Sequence, residues 1–255
     1  MTRLLQDKVI IISGGTKGVG KALCIECARQ GAHVVIGGRD KQAADGVLNE
    51  IRKMGGDGMF VSTELRNMDD CKRLFDGTME QYGQVDGFVN YAGVTYAASL
   101  TECEESMFDE IFDVNIKAAF FCAKHAVNCM IKNCGGSIIM IGSPHAWRGE
   151  KDRAAYACSK GALMTLMEHI AYHYAADKIR CNCVTLGWTA TEGELALRKS
   201  QGITETQLYD LASEVLPMGR MLETNDYIPG IIYLLSDQAS MVSGTNLRIT
   251  GGQYI

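Results

Sequence analysis

Residues 8–20 read "KVIIISGGTKGVG". The branched apolar run at 9–12 is too short for a helix and apolar at every position, which fits a strand buried on both faces. Glycines follow at 14, 18 and 20, and after them apolar residues at helical spacing, Ala22, Cys24, Ile25 and Ala28. When a strand enters a helix through such a turn, glycines let the backbone bend tightly and approach a pyrophosphate. The unpaired amides and positive end of the helix then stabilise its charge. The turn predicts a dinucleotide site built from Ser13, Gly14, Thr16, Lys17, Gly18, Val19 and Gly20.

Similar apolar runs recur at 32–37, 58–62, 86–90, 136–142, 179–186 and 245–250. Between them lie longer segments of helical periodicity, such as Ile111, Val114, Ile116, Phe120 and Phe121. Alternating strand and helix argues an α/β fold: a doubly wound, parallel seven-stranded sheet with helices on both faces, the Rossmann arrangement. Every strand is expected to be buried on both sides. No linker rich in proline, glycine or serine interrupts the chain, so residues 1–255 are expected to form one domain. The polar helical stretch 191–217 is the exception to the alternation. At the carboxyl edge of such a sheet it predicts a lid over a ligand crevice.

The end of the second strand bears on which dinucleotide is bound, because a carboxylate there would hold the adenosine ribose hydroxyls of NAD. Here the sequence is "IGGRD", with Gly38 in the carboxylate's place and Arg39 next. Arg39 and Lys17 could pair with a 2'-phosphate, which predicts NADP(H); the other reading of Arg39 is a solvated loop residue. Asp40 is read as the cap of a helix beginning at Lys41.

Composition sets further bounds. The 255 residues are 47% apolar, enough for a sizeable core, and carry a net charge of -5 with 25 scattered basic residues. Nucleic acid and anionic membrane are not expected as partners. No apolar run is long enough to span a bilayer, and "MTRLLQDKV" lacks a secretory core, so a cytoplasmic protein is expected. In that compartment the ten cysteines are expected as free, buried or half-buried thiols. "CIEC" (Cys24, Cys27) has no second pair at ligand spacing, and His169 and His173, four apart, have no evident third ligand. No metal is expected.

A second stretch, "AYACSK" at 155–160, sets the phenol of Tyr156 one helical turn from the ammonium of Lys160. Alone, that spacing favours the plainer reading, a packed tyrosine beside a solvated lysine. Together with the ordered motifs "SGGTKGVG", "NYAG" (90–93), "DVN" (113–115) and Ser143, it makes nearly the whole chain resemble the short-chain dehydrogenase/reductase family in its single-domain branch. The resemblance implies hydride exchange between a nicotinamide and a carbonyl or secondary alcohol, with Tyr156 as general acid/base. It further implies that Ser143 hydrogen-bonds the reacting oxygen, that Lys160 also holds the nicotinamide ribose, and that Asn115 holds a water leading to solvent. The chemistry is reasonable: a phenol's ordinary pKa near 10 is about three units too high for a base at neutral pH, a gap of roughly 4 kcal/mol. A cation one turn away, with the positive oxidised nicotinamide, can supply much of it.

By the same resemblance Asn90, Ala92, Gly93, Tyr156 and Lys160 meet the cofactor, as do Glu64 and Leu65 near the adenine and Gly187, Thr189 and Thr191 near the nicotinamide amide. The chain departs from the family at Tyr91, which replaces an asparagine, at Ser13, which replaces a threonine, at Glu64 and Leu65, which replace an aspartate, and at Leu186, which replaces a proline. The last is expected to loosen the entrance to the lid. His145 is read as a substrate contact or a loop-packing residue; Trp147, Trp188, Met218 and Met221 as pocket lining or plain core. "VLPMGRMLE" and the large lid resemble hydroxysteroid and bile-acid dehydrogenases, with a 3-oxoacyl-[acyl-carrier-protein] reductase as alternative. A catalytically silent NADP(H)-binding sensor is the reading from another class. The family also suggests a homotetramer, with helices at about 104–133 and 156–176 against their copies and "GGQYI" at a subunit contact.

Overall fold

The computed structural model describes residues 3–253; Tyr254 and Ile255 of the expected subunit contact lie outside the described residues. The elements run β1 (Val9–Ser13), α1 (Gly18–Arg29), β2 (His33–Gly38), α2 (Lys41–Lys53), β3 (Asp57–Ser62), α3 (Met68–Tyr82) and β4 (Gly87–Asn90). They continue with α4 (Glu105–Phe112), a π turn (Asp113–Lys117), α5 (Ala118–Lys132), β5 (Gly136–Gly142), α6 (Ala154–His173), β6 (Ile179–Leu186), α7 (Glu192–Ser200), α8 (Glu205–Val215), α9 (Thr224–Leu235) and β7 (Asn246–Ile249). The sheet has seven parallel strands in the order β3-β2-β1-β4-β5-β6-β7. Its order reverses between β1 and β4, and there the carboxyl ends of the strands leave a crevice.

The period of two along β1 divides the core. Ile10 and Ile12 join α1, α2 and α9 on one face, with Leu23, Leu48 and Ile231. Val9 and Ile11 join α3, α5 and α6 on the other, with Phe75, Met130 and Leu163. Burial on both faces fails at the edges: β3 and β7 are only partly buried, because an edge strand lacks one neighbour and its helix covers it incompletely. A third, small cluster of Leu208, Ala212, Leu216 and Met221 packs α8 and the segment after it together.

The continuous helix expected at 104–133 is interrupted. The π turn separates α4 from α5 and brings Asn115 inward. Of the ten free cysteines six are buried and two half-buried, but Cys134 and Cys158 are exposed, the first in a turn at φ 63, the second on the outer side of α6. Burial pushes the Cys183 thiol up to about 11 and raises Cys24 and Cys27 as well, which leaves all three uncharged at neutral pH. Among the described residues no helix is long and apolar enough to cross a membrane.

Phe88 of β4 is fully buried and meets Phe75 edge-on at 5.4 Å. Phe88→Ala should cost about 3–5 kcal/mol in urea unfolding; a loss below about 1 kcal/mol would contradict this packing.

Candidate active site

The glycine turn closes for steric reasons. Gly14 has φ +78, and a Cβ there would sit 3.1 Å from Ala92 Cα, so a side chain would push the β1 turn off the β4 loop. A Cβ on Gly20 would come 2.2 Å from the Gly14 carbonyl oxygen, so only glycine lets α1 start this close beneath the turn. Gly14, Lys17 and Gly18 line a cleft of about 810 Å³ that continues over Ala92 and Gly93 to Ser143, Tyr156, Lys160 and the lid. Backbone drawn close with no side chains and the free amides of α1 fit a pyrophosphate. Ser13 does not face the cleft: its buried hydroxyl lies 3.5 Å from the Val89 carbonyl and accepts from the Ala92 amide at 3.4 Å, tying β1 to the β4 loop. Thr16 and Val19 do not line the cleft; Val19 is core.

Tyr156 and Lys160 follow one another on the cleft side of α6. The Lys160 side chain is buried, the residue 6% exposed, with Nζ donating to the Ile141 carbonyl at 2.8 Å and lying 5.6 Å from the Tyr156 ring centroid. Ser143 ends the strand beneath; its Oγ accepts from the His145 amide at 3.3 Å and turns the loop back toward α6. Asn115 stitches three segments together. Its Oδ1 accepts from Val94 N at 2.8 Å, its Nδ2 donates to Val94 O at 2.9 Å and to Ser159 Oγ at 3.1 Å, and Ser159 Oγ donates to the Tyr156 carbonyl at 2.7 Å. A Cβ on Gly93 would meet Asn115 Oδ1 at 3.2 Å and Lys160 Nζ at 3.7 Å, so these groups converge on the β4 loop.

The charged candidates divide. Asp40 caps α2 by accepting from Ala43 N at 3.0 Å; that hydrogen bond, then Lys17 at 3.2 Å, lower its pKa. Arg39 lies 3.5 Å from Glu64, and Arg66 holds the same carboxylate. Burial works to raise the Glu64 pKa, but these hydrogen bonds and charges outweigh it and hold it below its ordinary value. Glu64 is therefore an ion-pair partner and Leu65 packs on the core; neither lines the cleft. Asn90 is buried at the end of β4.

On the lid side Gly187, Thr189 and Thr191 all line the cleft. Thr189 Oγ1 donates to the Gly187 carbonyl at 2.9 Å, and Thr191 Oγ1 accepts from Glu194 N at 3.1 Å where α7 begins. Leu186 does not loosen the entrance: it prolongs β6 opposite Ile249, and the Gly187 amide continues the ladder to the Ile249 carbonyl at 3.0 Å. Trp188 lines the cleft, whereas Trp147 stacks under Arg248 at 4.4 Å, Met218 is exposed and Met221 is lid core. His169 and His173 are exposed on α6, and no cluster of three metal-ligating side chains forms among the described residues. Tyr91 lines the cleft too, but burial, then the neighbouring phenols of Tyr227 and Tyr156, push its pKa up and keep it protonated.

The profile of the family described as enoyl-(acyl carrier protein) reductase matches residues 14–253. The chain is 31% identical to an L-rhamnose 1-dehydrogenase (NAD(P)(+)) of Azotobacter vinelandii, over 99% of this chain and 98% of the relative. The chain belongs to the short-chain dehydrogenase/reductase family. A 3beta-hydroxysteroid dehydrogenase of Mediterraneibacter gnavus is 30% identical over 96% of this chain and 94% of its own. The solved structure of a short-chain type dehydrogenase/reductase from Mycobacterium ulcerans matches with a TM-score of 0.90 and 27% identity, covering 98% of this chain and 90% of that one.

Three cleft features of this family member escape its motifs. Arg153 lines the cleft from the N-cap of α6, three residues before Tyr156, where no periodic pattern marks it. Gln253 accepts from the Trp188 amide at 3.0 Å across 65 residues, a contact no local pattern announces. Glu194 accepts from Trp188 Nε1 at 2.8 Å and from Arg198 Nε at 2.7 Å, knitting the lid. Asn115→Leu should leave the Val94 amide and carbonyl unpaired and cost about 1–3 kcal/mol in chemical unfolding; unchanged stability would contradict the stitching role of Asn115.

Proposed function

We propose that the protein is an NADP(H)-dependent oxidoreductase that interconverts a ketone and a secondary alcohol. The observation that carries this reading is that Ser143, Tyr156 and Lys160 line the same cleft as the glycine turn at Gly14 and Gly18. When bound, the nicotinamide supplies or accepts the hydride. The chain's own residues manage the proton: the Tyr156 hydroxyl gives it to, or takes it from, the substrate oxygen, and Ser143 Oγ orients that oxygen. The Lys160 ammonium sets positive charge beside the phenol, and Asn115 holds the backbone on which the pair rests. With Ser143, Tyr156 and Lys160 at one cleft and Asn115 buried behind them, a silent sensor is the weaker reading.

The NADP(H) preference is supported by Gly38 in the place of a carboxylate and by Lys17 and Arg39, both with side chains 73% exposed. Their present partners, Asp40 and Glu64, form solvent-exposed pairs worth little, which a doubly charged phosphate can displace. Arg39→Gln should weaken NADPH binding about tenfold in a fluorescence titration and leave NADH nearly unchanged; tighter binding of NADH by the parent protein would contradict the assignment.

For the substrate, the hydroxysteroid relative supports the steroid or bile-acid expectation. The charged lining of Glu150, Arg153, Glu194 and Arg198 weighs against an extended apolar body and favours a smaller polar alcohol, in keeping with the sugar dehydrogenase relative. A carrier-protein substrate would need a basic rim, yet Lys17, Arg39 and Arg198 each face a carboxylate. The proposal includes one domain over 1–255, the lid at 191–217, a cytoplasmic location and a homotetramer. Exposed Phe108, Phe120 and Tyr172 on α4, α5 and α6 support the last.

Tyr156→Phe should abolish NADPH consumption against a panel of ketosteroids, bile acids, acetoacetyl thioesters, sugars and oxo acids, with NADPH still bound. Retention of most activity would overturn the role given to Tyr156.

A further inference from the structure

Four cations line the cleft, and three of them have partners. Lys17 faces Asp40 at 3.2 Å, Lys160 donates to Ile141 O at 2.8 Å, and Arg198 donates to Glu194 at 2.7 Å. Arg153 differs. Its side chain is only 18% exposed, yet the nearest carboxylate oxygen among the described residues, Asp152 Oδ2, is 4.0 Å away, too far for a hydrogen bond. A guanidinium carries five donors, and withdrawing them from water without an acceptor costs free energy. The group stands at the N-cap of α6, three residues before Tyr156, and lines the same cleft.

His145 supplies a directed donor beside it. The Glu150 amide donates to its Nδ1 at 3.4 Å, so in the neutral ring the proton is on Nε2. Burial first, with the charge of Arg153 adding to it against Glu150 and Asp152, lowers the His145 pKa and favours that neutral tautomer. The ring lies edge-on to Tyr156, with centroids 5.8 Å apart. Arg153 and His145 thus line the cleft together with Tyr156, Ser143 and Lys160.

We infer that the substrate carries a carboxylate a few bonds from its reacting carbon, held by the Arg153 guanidinium and the His145 Nε2–H. The inference rests on the proposed redox reading of the cleft and narrows its substrate to short oxo and hydroxy acids. The placement bounds the length: Arg153 is the N-cap of α6 and Tyr156 lies in its first turn, which suits a short acid with about four or five bonds from carboxylate oxygen to reacting oxygen and not a steroid skeleton. Glu150 also lines the cleft, and it disfavours acids that carry a second anionic group.

The test uses the full chain with 2-, 3- and 4-oxopentanoate and their uncharged methyl esters, read two ways: binding to the cofactor-free protein by tryptophan fluorescence, and NADPH consumption. At least one acid should bind, and react, about 10- to 100-fold better than its ester, the size of a charged hydrogen bond. Arg153→Met should bring that acid down to its ester's level, and Arg153→Lys should restore part of the difference. Binding of acids through Arg153 without NADPH consumption would keep the carboxylate site and sink the oxidoreductase reading. Turnover of esters as well as acids, equal losses for both in Arg153→Met, or no binding of any acid would overturn the carboxylate site.

Discussion

The buried ammonium of Lys160 is the constraint on which the rest of the site depends. A cation withdrawn from water needs partners, and it finds one in the Ile141 carbonyl at 2.8 Å, near the end of β5. This bond pins α6 to the sheet edge, and with it the phenol one turn earlier. The neighbouring elements are shaped around the same point. Gly93 has no side chain to obstruct it, and the π turn at 113–117 drives Asn115 inward to bind both backbone groups of Val94 and, through Ser159, the carbonyl of Tyr156. An uninterrupted helix over 105–132 would follow a regular hydrogen-bond ladder; the extra residue in the turn is what re-aims Asn115.

The cleft is electrostatically asymmetric. At the glycine-turn end Lys17 lines the cleft in an exposed pair with Asp40, and Arg39, outside the lining, sits in an exposed pair with Glu64. At the other end, Glu194 binds Trp188 and Arg198 at once, and Gln253 accepts from the Trp188 amide, so the 187–198 stretch is tied together by the chain's own side chains. Between these ends stands Arg153, its side chain mostly withdrawn from water and, among the described residues, in no closer ion pair than the 4.0 Å to Asp152.

Much of the architecture was legible because a parallel sheet writes itself as short, fully apolar runs. The run at 8–13 became β1 at 9–13, and those at 136–142 and 179–186 became β5 and β6 with unchanged limits. Local pattern could not tell an edge strand from a central one, so β3 and β7 were expected to be more buried than they are. Nor does a π turn change the apolar periodicity enough to be seen, since Ile111, Val114 and Ile116 suit a continuous helix equally well. Within the site, motifs indicate which residues gather but not which way each side chain turns. Ser13 turned from the cleft to the β4 loop, Glu64 to Arg66 and Arg39, and Val19 into the core. Long-range partners such as Gln253 for Trp188 are set by tertiary packing alone.

The central claim is electrostatic: we propose that the positive charge of Lys160 beside the Tyr156 ring, and not its packing, is what the chemistry needs. The most direct measurement is the pH dependence of kcat/KM for alcohol oxidation in the parent protein and in Lys160→Met. The account predicts a variant nearly inactive at neutral pH whose loss shrinks at alkaline pH, where proton removal from the alcohol is less demanding. A variant whose loss is the same at every pH, with cofactor binding intact, would contradict it.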